Sequence, residues 1–403
     1  GTERRRAAPQ TRMAGQTAGL GGRAAGAQSG RAALRTQCRG LQTGIVGMPN
    51  VGKSSLFNAL CENSKAEAAN FPFCTIEPNI GKVKVPDKRL YELAKMANSV
   101  KVVPEMIEYV DIAGLVKGAS KGEGLGNKFL GNIRMTDAIV HVVRCFVDEN
   151  VVHVDGSVDP RRDIETINLE LIFSDLDQVE KRMKKLERDI SGKVKGAAEE
   201  KEVLDKILAA LMDNKPARTV TLTEKQELMI KSLSLLTKKP VIYAGNVSEE
   251  ELATGNALFD VLKEVAAETG DDAVLVSAQV EGELNGLSEE EKNEYLESLG
   301  VKESGCESLT RETYKLLGLR TYFTMGPTEA HAWTIRKGWK APQAAGVIHT
   351  DFEAGFIKAE AVSYEDLMEA GSEEEAKARG KLRVEGKEYV VQEGDVMLFK
   401  FRD

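Results

Sequence analysis

Residues 47–54 read Gly-Met-Pro-Asn-Val-Gly-Lys-Ser, and they lie between a β-type run at 43–47 and a helical pattern that starts at Lys53. The two glycines let backbone N–H groups curl around phosphate oxygens, and the start of the helix adds partial positive charge. In this pattern Lys53 neutralises the β- and γ-phosphates and the Ser54 hydroxyl ligates Mg²⁺. The stretch therefore predicts a P-loop that binds a nucleoside triphosphate.

The same loop supplies most of the predicted nucleotide contacts. Lys53 is a candidate catalytic residue as well as a binding residue, because its charge meets the phosphate that is transferred. The candidate nucleotide-binding residues of the loop are Asn50, Val51, Gly52, Lys53, Ser54 and Ser55.

Two further stretches are predicted to complete the Mg²⁺ site. The apolar run that starts at Met106 ends in Asp111-Ile-Ala-Gly114, where this class of fold places the acid that holds the water shell of the metal. Thr75 lies in the intervening loop at 67–79, where a threonine can coordinate Mg²⁺ when triphosphate is bound. The predicted metal ligands are therefore Ser54, Thr75 and Asp111.

The segment Asn246-Val-Ser-Glu249 occupies the place of the guanine-reading Asn-Lys-x-Asp of ordinary GTPases. Lysine is replaced by Val247 and the acid is one methylene longer at Glu249, so selectivity for guanine should weaken or vanish. ATP is then the favoured nucleotide, with Asn246 and Val247 against the adenine and ribose. Ser277, at the end of the next strand, fits the final base-binding loop.

Water activation is also expected to differ from that of many GTPases. Leu115 stands where those enzymes have a glutamine that orients the attacking water, and an apolar side chain cannot polarise water. Slow hydrolysis is therefore expected. His153, in the loop that starts at Asn150, is the candidate to contact water, although a lone loop histidine is more often a surface residue. His141 lies mid-strand and is expected in the core.

The order of patterns predicts the architecture. Strand-like runs alternate with helical stretches, which favours an α/β domain with a mostly parallel sheet and helices on both faces; the runs are 43–47, 106–114, 138–144, 239–246 and 273–278. Residues 163–237 interrupt this alternation with long amphipathic helices that predict an inserted antiparallel helical hairpin. From about residue 319 the runs become short and β-rich. The predicted domains are 43–317 for nucleotide binding and 318–403 for a small α+β unit.

Residues 1–42 differ in composition from the remainder. They carry eight arginines, no lysine and a single acid, Glu3, whereas the whole chain of 403 residues has a net charge of −8. Such an Arg-rich and acid-poor stretch matches an organelle transit peptide, and a disordered leader or a nucleic-acid-binding arm is the alternative.

Cysteine use and hydropathy limit the class of protein. The five cysteines are widely spaced and contain no Cys-x-x-Cys pair, which excludes a disulfide framework and fits a reducing compartment. No run approaches the roughly 20 apolar residues that are needed to cross a bilayer. An integral membrane protein is therefore not expected, and a monomer is expected.

Together these motifs resemble the YchF, or Obg-like ATPase, branch of the Obg-related P-loop proteins, over about residues 44–401. The resemblance is carried by the P-loop, by 70–79 (Asn-Phe-Pro-Phe-Cys-Thr-Ile-Glu-Pro-Asn), by 110–120 (Val-Asp-Ile-Ala-Gly-Leu-Val-Lys-Gly-Ala-Ser), by Asn246-x-x-Glu249 and by 340–353 (Lys-Ala-Pro-Gln-Ala-Ala-Gly-Val-Ile-His-Thr-Asp-Phe-Glu). A small departure is Ser55, where the family more often has threonine.

The resemblance implies an Obg-type nucleotide domain, a helical hairpin and a C-terminal TGS domain with a β-grasp-like fold. It also implies hydrolysis of ATP in preference to GTP, Mg²⁺ at Ser54 and Thr75, adenine contact at Val247, and a water-activating role for His153. The implied partner is the ribosome or its subunits, with rRNA contact through the TGS domain. Residues 333–340 (Trp-Thr-Ile-Arg-Lys-Gly-Trp-Lys) are a candidate RNA contact, or their two tryptophans anchor a small core.

The expected function is that of a nucleotide-dependent switch in translation or in a stress response, driven by slow ATP hydrolysis. The alternatives are a GTPase in ribosome assembly and a non-enzymatic scaffold that holds ATP as a structural ligand. The arginine-rich leader is absent from bacterial members of the family while the C-terminal motifs follow the bacterial pattern, so a chloroplast location is expected, with mitochondrion or cytoplasm as alternatives.

Overall fold

The strand that precedes the P-loop lies inside the first of two six-stranded sheets that the described residues of the computed structural model form. Five of its strands are parallel, and the sixth, β2 (Ile80–Lys84), pairs antiparallel with β4 (Met106–Asp111) at the edge. The order β2-β4-β1-β5-β6-β7 comprises β1 (Gln42–Gly47), β2 (Ile80–Lys84), β4 (Met106–Asp111), β5 (Ala138–Arg144), β6 (Val241–Asn246) and β7 (Asp272–Val276). The predicted mostly parallel sheet is confirmed, and β2 is an addition that the sequence analysis did not foresee.

The structure describes residues 41–65, 79–112, 125–148, 150–151, 153 and 156–402. The predicted transit peptide and the predictions for Thr75, Gly114 and Leu115 lie outside these residues.

The parallel strands bring the motif residues together. All five point the same way, so their carboxyl ends meet at one edge of the sheet, where ligands bind in open α/β folds. Gly47, Asp111, Asn246 and Val276 are the last residues of β1, β4, β6 and β7. The helices associated with this sheet are α1 (Lys53–Lys65), α3 (Leu125–Met135), α7 (Ala257–Thr269), α8 (Ala278–Leu284), α9 (Glu289–Ser298) and α10 (Gly305–Leu316).

The helical insertion consists of two long helices with their own apolar cluster. Helix α4 (Pro160–Ser191) starts at the N-cap Asp159, and α5 (Ala197–Met212) follows a short turn that ends in Gly196, whose positive φ of 86° suits glycine. Their buried faces pack together and against the short helix α6 (Glu224–Ile230). The predicted hairpin over 163–237 is confirmed, and its first helix begins three residues earlier than predicted.

The second sheet has the strand order β11-β10-β12-β8-β9-β3, in which β3 (Lys101–Val103) comes from an earlier part of the chain. Its C-terminal elements are β8 (Leu319–Met325), β9 (Glu329–Arg336), α11 (Ala341–Ile348), α12 (Thr350–Ala354), β10 (Phe356–Ser363), α13 (Tyr364–Ala370), α14 (Glu373–Ala378), β11 (Arg383–Glu385) and β12 (Asp395–Phe401). Antiparallel pairs dominate, and β12 pairs parallel with β8. The predicted α+β character of this region is confirmed.

The sixth strand of that sheet comes from the preceding part of the chain. Strand β3 (Lys101–Val103) pairs parallel with β9, and helix α2 (Lys88–Met96) buries Leu90 and Leu93 in the same apolar cluster as Phe323. Residues 88–103 therefore belong structurally with the C-terminal sheet, and their predicted place within the 43–317 domain is wrong in this respect. A three-residue strand carries no local signal of the partner it will choose, because that choice depends on contacts made more than two hundred residues away.

A half-buried carboxyl, that of Glu105, lies where the two regions join. Glu105 follows β3, and burial raises its pKa to about 7 against the opposing effect of a hydrogen bond with Thr334. Nearby, the Tyr314 hydroxyl on α10 donates to the Arg320 carbonyl oxygen at 3.1 Å. The junction thus combines polar contacts with shared apolar packing. Among the described residues, no helix has the length and apolarity required to span a bilayer.

Candidate nucleotide-binding site

The phosphate-binding loop has the backbone that its sequence predicts. Asn50 has a φ of 61° and Gly52 a φ of 89°, both in the left-handed region that Asn and Gly tolerate. A Cβ at Gly47 would lie 2.8 Å from the Val142 carbonyl oxygen, and one at Gly52 would collide with the side-chain amide of Asn246. Both glycines are therefore required by close packing, while the buried Val51 side chain anchors the loop.

The charged groups of the loop face each other at the end of the sheet. Lys53 is largely buried at the start of α1, and its ammonium group forms an ion pair with the Asp111 carboxylate at the end of β4. A triphosphate with Mg²⁺ offers each partner an alternative, namely phosphate oxygens for Lys53 and the water shell of the metal for Asp111. The structure therefore brings together the two ionic groups that the sequence predicted for this end of the site.

The described part of the predicted metal site consists of oxygen donors. Ser54 and Ser55 are exposed in the first turn of α1, and Asp111 lies beside Lys53. Hydroxyl and carboxylate oxygens are the ligands that Mg²⁺ accepts, and it keeps several waters besides. Ser54 and Asp111 therefore fit the ion, and the third predicted ligand, Thr75, lies outside the described residues.

Asn246 joins two loops at the other end of the site. Its Nδ2 donates to the Val51 carbonyl oxygen at 3.0 Å, and its Oδ1 accepts from the Ala278 backbone N–H at 2.9 Å. The side chain is buried, and both ends of the amide are engaged by protein. Asn246 therefore positions the phosphate loop and the base loop relative to each other, and its contact with adenine stays a prediction.

Val247 and Ser277 contribute buried side chains to the base-binding segment. Both side chains are buried, and the Val247 N–H donates to the Val276 carbonyl oxygen at 2.9 Å. Ser277 is the N-cap of α8, where its hydroxyl accepts from the Val280 N–H at 3.5 Å. The predicted adenine contact at Val247 stays a prediction, and burial of its side chain leaves the backbone as the part that can make it.

Glu249 is held by a residue that the sequence analysis did not identify. The Tyr295 hydroxyl on α9 lies 2.9 Å from Glu249 Oε1 and also contacts Glu283 on α8. The hydrogen bond with Glu283, burial and the hydrogen bond with Glu249 together raise the pKa of Tyr295. No local signal points to Tyr295, because α9 reads as an ordinary charged helix.

His153 is buried and paired with an acid. Its Nε2 lies 2.9 Å from Asp163 Oδ2, in the first turn of α4. The alternative that this histidine is a surface residue is therefore wrong. Its role in activating water stays a prediction, because the described contacts of the ring are with the start of the helical insertion.

Arg144 organises the loop that leads to His153. The guanidinium is buried at the end of β5 and donates to the carbonyl oxygens of Phe146, Asp148 and Val151. A charged residue that ends an otherwise apolar strand is a signal that could have identified it. His141, in the middle of the same strand, is a core residue as predicted, and burial with the nearby Arg218 charge lowers its pKa to about 3.

Comparison with known proteins decides the family. The chain is 54% identical over 363 residues to the "Ribosome-binding ATPase YchF" of Bacillus subtilis, covering 90% of this chain and 99% of that protein. It belongs to the YchF family. The protein of the same name from Escherichia coli O157:H7 is 50% identical over 362 residues, with coverage of 90% and 99%. The comparison confirms the resemblance that the sequence motifs indicated.

Family models and a solved structure agree with this assignment. A model described as YchF-GTPase_C, a protein of unknown function, matches residues 319–402, and one described as a 50S ribosome-binding GTPase matches residues 42–174. The chain is also similar to a structure described as the Schizosaccharomyces pombe YchF GTPase, with a TM-score of 0.80, 41% identity and coverage of 90% and 98%. The predicted P-loop α/β fold with an additional α+β domain is thereby confirmed.

Proposed function

We propose that this YchF-family chain binds and hydrolyses ATP in preference to GTP and acts as a nucleotide-dependent switch on the ribosome. The observation that carries the proposal is the Lys53–Asp111 pair at the end of a parallel sheet, which also bears Asn246-Val-Ser-Glu249 in place of a guanine-reading motif. The bacterial relatives are named ribosome-binding ATPases, which supports both the activity and the partner.

In the proposed mechanism, protein groups position the phosphates and one water. Lys53 moves from Asp111 to the β- and γ-phosphates, and Ser54, Thr75 and Asp111 would hold Mg²⁺. The metal, when bound, supplies positive charge to the phosphate oxygens. His153 orients the attacking water, and Arg144 and Asp163 fix the loop and the imidazole from which it acts.

The preference for ATP follows from three features of the base segment. No lysine stands at Val247 to pack over a guanine, the Val247 side chain is buried, and the Glu249 carboxylate already has a protein partner. The N1–H and N2 amino donors of a guanine would therefore have to compete with a protein group for the Glu249 carboxylate, which costs affinity.

Contact with the ribosome is proposed through the C-terminal region. Arg336 and Lys337 are exposed at the end of β9, where they can meet phosphates. Trp333 and Trp339 pack against the apolar cluster of this domain, and the Trp333 indole N–H donates to Thr324 Oγ1 at 2.9 Å. The tryptophans thus pack against the core of the domain. Arg336 and Lys337 are the side chains proposed to contact rRNA.

Titration with fluorescent mant-ATP and mant-GTP in the presence of Mg²⁺ tests the base preference. Tighter binding of mant-ATP is expected, and a clear preference for mant-GTP would instead favour a GTPase in ribosome assembly. Turnover with and without ribosomes tests the switch, since a scaffold that merely holds ATP hydrolyses nothing in either condition. Sedimentation with ribosomal subunits in the ATP and ADP states then measures whether association depends on the nucleotide.

A chloroplast location is proposed on the composition of residues 1–42, which carry eight arginines and one acid. The match to the 50S ribosome-binding GTPase model begins at residue 42, the last residue of this stretch. Mass spectrometry of the protein from isolated plastids should find a mature N-terminus near residue 43. Retention of the arginine cluster would contradict import by this route.

A further inference from the structure

The Tyr295 side chain connects the two segments that surround the proposed base site. Its hydroxyl lies 2.9 Å from Glu249 Oε1, three residues after Asn246, and 2.5 Å from Glu283 Oε2 on α8, the helix that Ser277 caps. The neighbouring Leu296 is buried in the main apolar cluster and anchors α9. A phenol on a rigid helix is thus shared by two carboxylates that flank the base loops.

We propose that Tyr295 determines nucleotide specificity by holding the Glu249 carboxylate in an orientation that does not favour guanine. The inference deepens the proposed ATP preference and rests on it. In ordinary GTPases the acid three residues after the asparagine accepts from guanine N1–H and the N2 amino group. Here the residue at that position is Glu249, and one of its oxygens already accepts from Tyr295.

The competition is unequal for the two bases. Guanine gains both of its hydrogen bonds only if the Glu249 carboxylate turns toward it and gives up the phenol, and a hydrogen bond to a charged group corresponds to about a tenfold change in an equilibrium constant. Adenine has an acceptor at N1 and no amino group at C2, so it gains nothing from a freed carboxylate at this position. The Tyr295–Glu249 contact therefore penalises guanine selectively.

Glu283 is a second acceptor for the same phenol and holds it beside the base loops. A phenol carries one proton, so two nearby carboxylates share it, and both contacts raise the pKa of Tyr295. The hydroxyl consequently stays protonated and remains a donor under physiological conditions. Tyr295 is a specificity-determining residue in this account, and it takes no part in phosphate transfer.

The decisive variant is Tyr295→Phe, which keeps the ring and removes the hydroxyl. With the purified full chain and Mg²⁺, affinity for mant-GTP should rise about tenfold, while affinity for mant-ATP should change less than about twofold. Inosine triphosphate, which lacks the N2 amino group, should gain less than GTP when it competes with the fluorescent nucleotide. The double variant Tyr295→Phe, Glu249→Gln should lose most of the gain.

Matched controls separate specificity from folding. Tyr91→Phe removes a hydroxyl from an exposed tyrosine on α2 and should leave both affinities unchanged. If Tyr295→Phe lowers ATP and GTP affinity in parallel, or leaves their ratio within twofold of the wild type, the tyrosine only anchors α9 and the inference is overturned. If the wild-type chain itself shows no preference for ATP, the proposed function fails independently of any result with the variant.

Discussion

The phosphate end and the base end of the site use their polar groups differently. At the phosphate end, Lys53 and Asp111 neutralise each other in a contact that phosphate and metal can replace. At the base end, Asn246 and Glu249 are bound to other parts of the protein through Val51, Ala278 and Tyr295. Phosphates are thus recognised by charge that any nucleoside triphosphate satisfies, whereas the base is selected by which protein groups are already engaged.

The largest effect is expected from Lys53→Ala, which removes the cation of the phosphate end. ATP turnover should fall about thousandfold, since removing one preorganised electrostatic contact to the transition state costs about that much. Steady-state phosphate release measures it, and Lys82→Ala, on the exposed side of β2, is the control. Turnover within tenfold of the wild type would show that this end does not depend on the lysine.

His153→Ala should lower turnover by about a hundredfold, as expected for loss of one general acid–base group. Affinity for ATP should stay within about twofold, because the imidazole is paired with Asp163 and its proposed partner is the attacking water. Single-turnover hydrolysis and mant-ATP titration separate the two quantities. His349→Ala, exposed in the C-terminal region, is the matched control. An unchanged rate would remove His153 from the mechanism.

Asn246→Ala tests whether the two ends are joined through the amide. Its loss leaves the Val51 carbonyl and the Ala278 N–H without partners, which costs about 2 kcal/mol in free energy of unfolding. Affinities for ATP and GTP should both fall about tenfold, because both loops lose their registration. Asn293→Ala on the exposed face of α9 is the control. A selective loss of ATP binding would instead show that Asn246 reads adenine.

The smallest effect is expected from Ser277→Ala, which removes the N-cap of α8. The free energy of unfolding should fall by about 1 kcal/mol, and the ratio of ATP to GTP affinity should not change. Denaturant unfolding measures the first quantity, with Ser232→Ala at an exposed position as the control. A shift in the ratio would mean that the hydroxyl contributes to base selection beyond its capping role.

Local patterns predicted the phosphate end well. Gly47, Gly52 and Lys53 fall within eight residues, and Asp111 ends a run whose apolar character is visible in sequence. The core location of His141 was also predictable, because apolar residues flank it on both sides. Periodicity likewise identified the helical insertion, since a long amphipathic pattern is a strong helical signal.

The contacts that distinguish this site were not predictable in the same way. Tyr295 meets Glu249 across 46 residues, and Asn246 meets Val51 across 195 residues. Such pairs form only after the chain has folded, so the local sequence around one partner does not predict the other. The same reason explains why β2 and the partner of β3 were missed, since edge pairing depends on tertiary placement rather than on short-range propensity.

Strand β3 and helix α2 have a practical consequence for dividing the protein. A fragment of residues 318–403 would lose the strand that flanks β9 and the leucines that cover Phe323, so it would present a bare sheet margin and an uncovered apolar surface to solvent. The C-terminal domain is therefore built from two separate segments of the chain. A fusion in which a flexible linker joins residues 86–104 to residues 318–403 would cover the edge of β9 and the apolar surface. It should be more soluble than the fragment 318–403 alone.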